Sequence, residues 1–338
     1  MERPIQLIDM PEDSMRHILE RCDFVTLQCL RKTCHTLRNF IDETKPEQSM
    51  KVLKVIGSLN RVCLTTCKDD DDDDELYPNG SRIKLYYEQL SSEQTIITWS
   101  RSDGKREKTI NKGDILNVFS EDLLTVLGCK QPKWDKIHVN CEEEVLEKVK
   151  DIFLSRESPF KVQTLEIDSD LCKKQVLLIL SSVCPDTLTC LNLDSYQRWN
   201  ISKMKKLEQW KRVKELHMEI FAVRADINNY SHFDFAKVYF TRVKVKDLLK
   251  IKEIFLNTSS IIKYLEMQAN RFPHPDCLER IFGDCYLIDM ETDEIRCWFF
   301  KRADNYVLQF KFAEDMDTFI INIIPMEAVP EDAFISSS

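Results

Sequence analysis

From residue 137 onward one short pattern keeps returning, two apolar side chains flanking a polar one. It occurs as Ile137-His138-Val139, Leu165-Glu166-Ile167, Leu191-Asn192-Leu193, Leu216-His217-Met218, Val238-Tyr239-Phe240 and Leu265-Glu266-Met267. Successive cores are 28, 26, 25, 22 and 27 residues apart. Strict alternation puts the apolar pair on one face of a strand and the middle residue on the other. Between the cores, the stretches 142–154, 174–183, 202–213 and 245–256 carry apolar residues at helical spacing. A strand and a helix recurring every 20–29 residues with an L-x-L core is the leucine-rich-repeat type of unit, which cannot bury its apolar side alone and must stack on its neighbours. The repeats lack the asparagine ladder position of that type, so an irregular β/α solenoid is expected.

The chain ahead of the repeats divides in two. Residues 5–45 predict short helices. Asp9 with Glu12 has the spacing of a capping box, and Pro11 is tolerated in a first turn. Met15, Ile18, Leu19 and Cys22 then lie at i, i+3, i+4 and i+7, one apolar stripe. Asp23 is placed to cap a second helix bearing Val25, Leu27 and Leu30, and a third bears Cys34, Leu37, Phe40 and Ile41. Arg31, Lys32, His35 and Arg38 surround that last stretch. A segment of about 40 residues buries too little to fold securely alone, so this much apolar surface calls for a partner or a neighbour.

Residues 52–56, 62–67, 83–87 and 95–99 are rich in β-branched and aromatic residues and predict strands. Between two of them stand Asp69 to Asp74 and Glu75, an acidic run that favours a self-repelling, solvated loop over a metal site, with Asn79-Gly80 as a turn. Near the other end, Leu308, Phe310 and Phe312 alternate with Gln309 and Lys311, which predicts a half-buried strand, and 319–324 predicts another. These strands are expected to cap the open edge of the repeats, and the residues from 328 on to be disordered.

Composition removes several functional classes. The six glycines, at 57, 80, 104, 113, 128 and 283, are too scattered to build a phosphate-cradling loop. The 13 cysteines contain no C-x-x-C, Cys63 and Cys67 being the nearest pair, so zinc-finger spacing is absent. An odd number of cysteines set in apolar patterns fits a reducing compartment, cytoplasm or nucleus. Residues 1–13 hold no apolar core of signal-peptide length, and the apolar runs, such as 176–180, fall far short of the ~20 residues that span a bilayer. A net charge of −9 disfavours direct nucleic-acid binding. The basic cluster Lys203, Lys205, Lys206, Lys211, Arg212 and Lys214 flanks the apolar stripe Leu207, Trp210 and Val213 and so predicts the solvated face of a helix. No G-x-S-x-G or H-E-x-x-H occurs, and the histidines show no metal-type spacing. His138 and His217 fit a binding or structural role better than a catalytic one, and Trp99, Trp134, Trp199 and Trp298 fit a core. No enzyme chemistry, cofactor or metal is expected.

The stretch 7–41, LIDMPEDSMRHILERCDFVTLQCLRKTCHTLRNFI, resembles the F-box motif. Met10-Pro11 with Asp13 matches its L-P-x-E opening, Ile18-Leu19 its I-L pair, and Leu27, Leu30 and Arg31 its second helix. Met10 for leucine, Cys22 for a larger apolar residue and Leu37 near a common aromatic are conservative departures. The body resembles the FTH domain that follows the F-box in the nematode F-box A family. LEQWKRVKELHM (207–218) carries the likeness, supported by SSVCPDTLTCLNL (181–193) and VKDLLKIKEIFLNTS (245–259), over about 140–290.

The resemblance implies a substrate-recognition adaptor of an SCF-type ubiquitin ligase. Its F-box would dock on a Skp1-like protein, and through it a cullin, while the C-terminal domain binds a target protein. Met10, Pro11, Ile18, Leu19, Leu27 and Leu30 are expected to face the Skp1-like partner, with Arg31 at the rim. By strand alternation His138, Asn140, Glu166, Asp168, Asn192, Asp194, His217, Glu219, Tyr239, Thr241, Glu266 and Gln268 are expected to line the target-binding surface. The expected organisation is a helical module at 1–48, a β-rich segment at 49–113 with an acidic loop at 68–75, a β/α repeat domain with C-terminal strands at 114–325, and a tail at 326–338. In class terms this is α+β joined to α/β. A non-ligase interaction scaffold and a partner of an RNA-binding protein are the alternatives.

Overall fold

A computed structural model describes the chain apart from residues 1–6, 23, 45–50, 68–82, 92, 102–103, 112–113, 129–133, 169–172, 196–199, 224–226, 258–261, 290–293, 315 and 337–338. The acidic run, Asn79-Gly80, the cap expected at Asp23 and Trp199 lie outside the described residues. Helices α1 (Glu12–Glu20), α2 (Phe24–Thr33) and α3 (His35–Thr44) come first, then strands β1 (Val52–Ser58), β2 (Arg61–Cys67), β3 (Ile83–Ser91), β4 (Gln94–Arg101) and β5 (Gly104–Asn111). They are followed by α4 (Ile115–Gly128), β6 (Trp134–Cys141), α5 (Glu143–Leu154), β7 (Val162–Asp168), α6 (Lys173–Ser181), β8 (Cys190–Asp194), α7 (Glu208–Arg212) and β9 (Glu215–Val223). The chain continues through β10 (Phe235–Phe240), α8 (Val245–Leu256), β11 (Tyr264–Ala269), α9 (Pro275–Phe282), β12 (Tyr286–Asp289), β13 (Glu294–Lys301), β14 (Tyr306–Ala313), β15 (Thr318–Pro325) and β16 (Ile335–Ser336). Two compact units result, residues 1–165 with 182–184, and residues 166–181 with 185–338.

In the first unit, α1 to α3 enclose a small core of Met15, Leu19, Leu27, Leu37, Phe40 and Ile41, with Leu7, Cys22 and Leu30 packed against it. Helix α1 begins after Pro11, which takes the N-cap position without a side-chain cap, so the Asp9–Glu12 capping box does not form. Glu12 and Asp13 instead put negative charge beside the unsatisfied N–H groups of the first turn. The strands follow the order β6-β1-β2-β3-β4-β5. β1 to β5 run antiparallel to their neighbours, and β1 lies parallel to β6 with Leu53 opposite Ile137 and Val55 opposite Val139. The β-rich segment therefore shares a sheet with the first repeat strand. Leu53, Val55, Ile137, Val139, Phe119, Leu123, Val145, Leu146 and Val149 are all fully buried. Strand β5, GKREKTIN, has no apolar alternation to announce it and is mostly exposed. Its main chain pairs with β4 while its charges guard a sheet edge.

In the second unit β8, β9, β10 and β11 are successive parallel neighbours, and β11 passes to the antiparallel run β15, β14, β13 and β12. β15 covers the edge of the last parallel strand, as expected for C-terminal caps. The architecture is a mixed sheet with helices, and the likeness to leucine-rich repeats extends only to the strand–helix alternation and the parallel pairing. No helix among the described residues is long and apolar enough to cross a membrane.

Four expectations are corrected here. Val238 pairs with Met218 and Met267, so the repeat core in β10 is Ala236-Lys237-Val238, two residues earlier than the apolar pattern placed it. The stretch 202–213 is a 3-10 turn (Met204–Lys206) and the short α7, separated by an extended Leu207. There Trp210 packs edge-on at 5.1 Å against Phe233, in the loop before β10, which anchors the segment without a long helix. β14 is not half-buried: Val307, Leu308, Gln309, Phe310 and Phe312 are all enclosed. The reason is the tail, expected to be loose but docked on the sheet. Met326, Val329, Ala333 and Ile335 pack on Cys297, Phe299 and Val307, and β16 pairs with β13.

Candidate functional site

The helical module sorts its expected contact residues by their angle around α1 and α2. Ile18 is 36% exposed and Pro11 is exposed, whereas Leu19 and Leu27 are 0% and 1% exposed inside the module's own core. Consecutive helical residues differ by about 100° in direction, so the Ile18-Leu19 pair cannot point the same way. Leu19 and Leu27, expected at the partner contact, thus lie in the module's own core. Met10 and Leu30 are half-buried. Ile8, 41% exposed in the turn before α1, joins the outward apolar set and carries no helical periodicity that would have singled it out. Arg31 is engaged within the module. Its Nε lies 2.8 Å from Asp42 Oδ1, its Nη2 donates to Oδ2 at 3.2 Å, and its carbonyl accepts from Arg38 Nε. It clips α2 to α3.

The strand residues expected at the target surface occupy the face opposite the buried cores. On β6, His138 is half-buried and Asn140 exposed. Glu166 and Asp168 on β7, Asn192 and Asp194 on β8, His217 on β9, Tyr239 on β10, and Glu266 and Gln268 on β11 are half-buried. They alternate with core residues such as Leu191, Leu216, Val238 and Leu265. Thr241 follows the end of β10; Glu219 lies on β9, its side chain outside the described residues.

Register decides the neighbours on this face in the second unit. One row reads Asn192, His217, Lys237, Glu266, so Lys237 takes the place expected of Tyr239, which sits beside Gln268. The adjacent row reads Cys190, Glu215, Phe235, Tyr264. Lys237 Nζ is 3.5 Å from Glu266 Oε1, and the Tyr264 hydroxyl donates to Glu266 Oε2 at 2.9 Å. Burial and that carboxylate push the Tyr264 phenol up to about 12. The Phe235 and Tyr264 rings stack at 4.6 Å, and His217 lies 5.0 Å from Phe235. Phe235 and Tyr264 immediately precede the cores Ala236-Lys237-Val238 and Leu265-Glu266-Met267, and only pairing brings them together. The face combines carboxylates, amides and flat rings.

The basic residues of the 203–214 region stand in solvent as expected: Lys211 pairs with Glu208 at 2.7 Å and Arg212 with Asp186.

Among known proteins, the F-box domain family matches residues 7–48, which include α1 to α3. The FTH domain family matches residues 143–284, from α5 through α9. F-box A protein 224 of Caenorhabditis elegans is 23% identical over 313 residues, covering 90% of this chain and 76% of its own length. No solved structure matches the chain.

Proposed function

With an F-box ahead of an FTH domain the chain belongs with the nematode F-box A proteins, and from that premise we propose that it is a substrate-recognition adaptor of an SCF-type ubiquitin ligase. Its F-box docks on a Skp1-like protein, through which a cullin is reached, and its C-terminal domain captures a target protein. The observation that carries this reading is the module's two-sidedness. It completes a core of its own and still keeps Ile8, Met10, Pro11 and Ile18 at the surface. A stable complex needs about 1,600 Å² of interface, with a few apolar anchors at its centre supplying most of the affinity.

Ile18→Asp tests the docking. A charge forced into a desolvated contact costs about 2–5 kcal/mol, so affinity for a Skp1-like protein falls more than roughly 30-fold while the helices stay folded by circular dichroism. Unchanged co-purification from cells would refute the docking surface.

A further inference from the structure

We infer that Cys190, Glu215 and His217 form a binding site for one zinc-type divalent cation on the open face of the second unit. The inference is independent of the adaptor reading. Strands β8 and β9 are parallel, with Cys190 opposite Glu215 and Asn192 opposite His217. Residues two apart on a strand share a face, and neighbouring strands lie about 4.8 Å apart. The block therefore gathers a thiol, a carboxylate and an imidazole, whose ligand atoms all lie within 4.8 Å of one another. Bonds of about 2.3 Å to sulfur and 2.0–2.2 Å to nitrogen and oxygen put the ligands of a tetrahedral zinc roughly 3.3–3.7 Å apart. Closing the present arrangement to that size takes at most about an ångström per ligand pair, within reach of side-chain rotation.

The donor set selects the ion. Thiolate with imidazole suits zinc or cobalt and disfavours magnesium and calcium, which take oxygen ligands. Three protein ligands leave a fourth position for water or an incoming group. Cys190 and His217 are half-buried and Glu215 is exposed, so the ion has both a partly desolvated seat and an entry path. The His217 ring is held against Phe235 at 5.0 Å, which restricts its rotamers before any ion arrives. The Cys190 thiol lies 3.3 Å from Asn192 Oδ1, and rotation of that amide presents its NH₂ to the thiolate instead. On binding, the Cys190 S–H bond breaks, its electron pair goes to the metal and the proton goes to solvent. Glu215 as carboxylate and His217 as neutral imidazole each donate a lone pair. Binding therefore releases a proton, and acidification weakens it.

None of this was visible in the linear spacing, because Cys190 and His217 are far apart in sequence and meet only through strand pairing. The test is a cobalt(II) titration of the purified, reduced, metal-stripped full chain. One equivalent should give a thiolate-to-cobalt charge-transfer band with the visible bands of a four-coordinate ion, and zinc should displace it. Cys190→Ser should abolish the charge-transfer band. His217→Gln and Glu215→Gln should each weaken cobalt binding by at least about tenfold, and Cys34→Ser, an exposed thiol in the helical module, should change nothing. Without any substitution, zinc should stop alkylation of Cys190 and leave Cys34 reactive, read by peptide mass spectrometry. A missing charge-transfer band in the wild type, a band that survives Cys190→Ser, or alkylation of Cys190 indifferent to zinc would each overturn the site.

Discussion

Ile18 and Leu19 are adjacent in sequence and carry opposite duties. Leu19 is sealed among Met15, Leu37 and Phe40, so Leu19→Ala should destabilise the helical module by about 2–5 kcal/mol, read as faster amide exchange in α1 to α3. Ile18→Ala should change stability by about 0.5 kcal/mol or less, as surface substitutions do, yet still weaken docking. Another residue-scale effect concerns acid. Burial holds the His232 imidazole below its ordinary value, although its contact with the Trp210 carbonyl at 2.9 Å pulls the other way. The unfolded chain therefore takes the proton first as pH falls. The stability contributed by the neutral ring is complete above about pH 6.5 and is lost as pH drops through the folded-state value. The melting temperature of the wild type should fall more between about pH 7 and about pH 5 than that of His232→Gln; equal falls would show that this ring is not responsible. The histidine itself was plain in the sequence, but its burial against Phe233 at 4.0 Å was not.

At the scale of elements, the C-terminal segment is the sharpest departure from the sequence pattern. EDAFISSS has the polarity of a loose tail, but four apolar residues in the last stretch suffice to cover a sheet face when that face already exists. Deleting residues 326–338 should strip the cover from Cys297, Phe299 and Val307 and cost about 2–5 kcal/mol. A denaturant melt and dye binding to exposed apolar surface check this, and an unaltered melt would mean the segment contributes little. Strand β10 teaches a related lesson. The apolar string Val238-Tyr239-Phe240 looked like the repeat core, yet Ala236 is equally enclosed, and its small side chain hid the true phase.

For the molecule as a whole, the two proposed binding surfaces should fail separately. Ile18→Asp should lose the Skp1-like protein and keep the target. Reversal of Glu166, Asp168 and Asp194 to lysine should lose the target and keep the Skp1-like protein, because opposite charge across a contact favours a basic partner segment. Quantitative proteomics of the two full-length variants reads both arms, and target capture that survives reversal at low salt would remove the open strand face from consideration.

Local periodicity determined the helical module and the strand cores of the body other than that of β10, because burial on one side must repeat with the period of the element. The F-box and FTH likeness rests instead on the stretches 7–41 and 207–218 themselves, with polar residues such as Asp13 and Arg31 and with Pro11 as much part of it as the apolar ones. Tertiary pairing alone decided which of two adjacent apolar residues is enclosed, that β1 joins β6, that the tail is docked, and that Cys190 meets Glu215 and His217. Register and long-range closure are contests among many alternative pairings of similar local quality. Their outcome depends on the summed packing of distant segments, which no single stretch of sequence encodes.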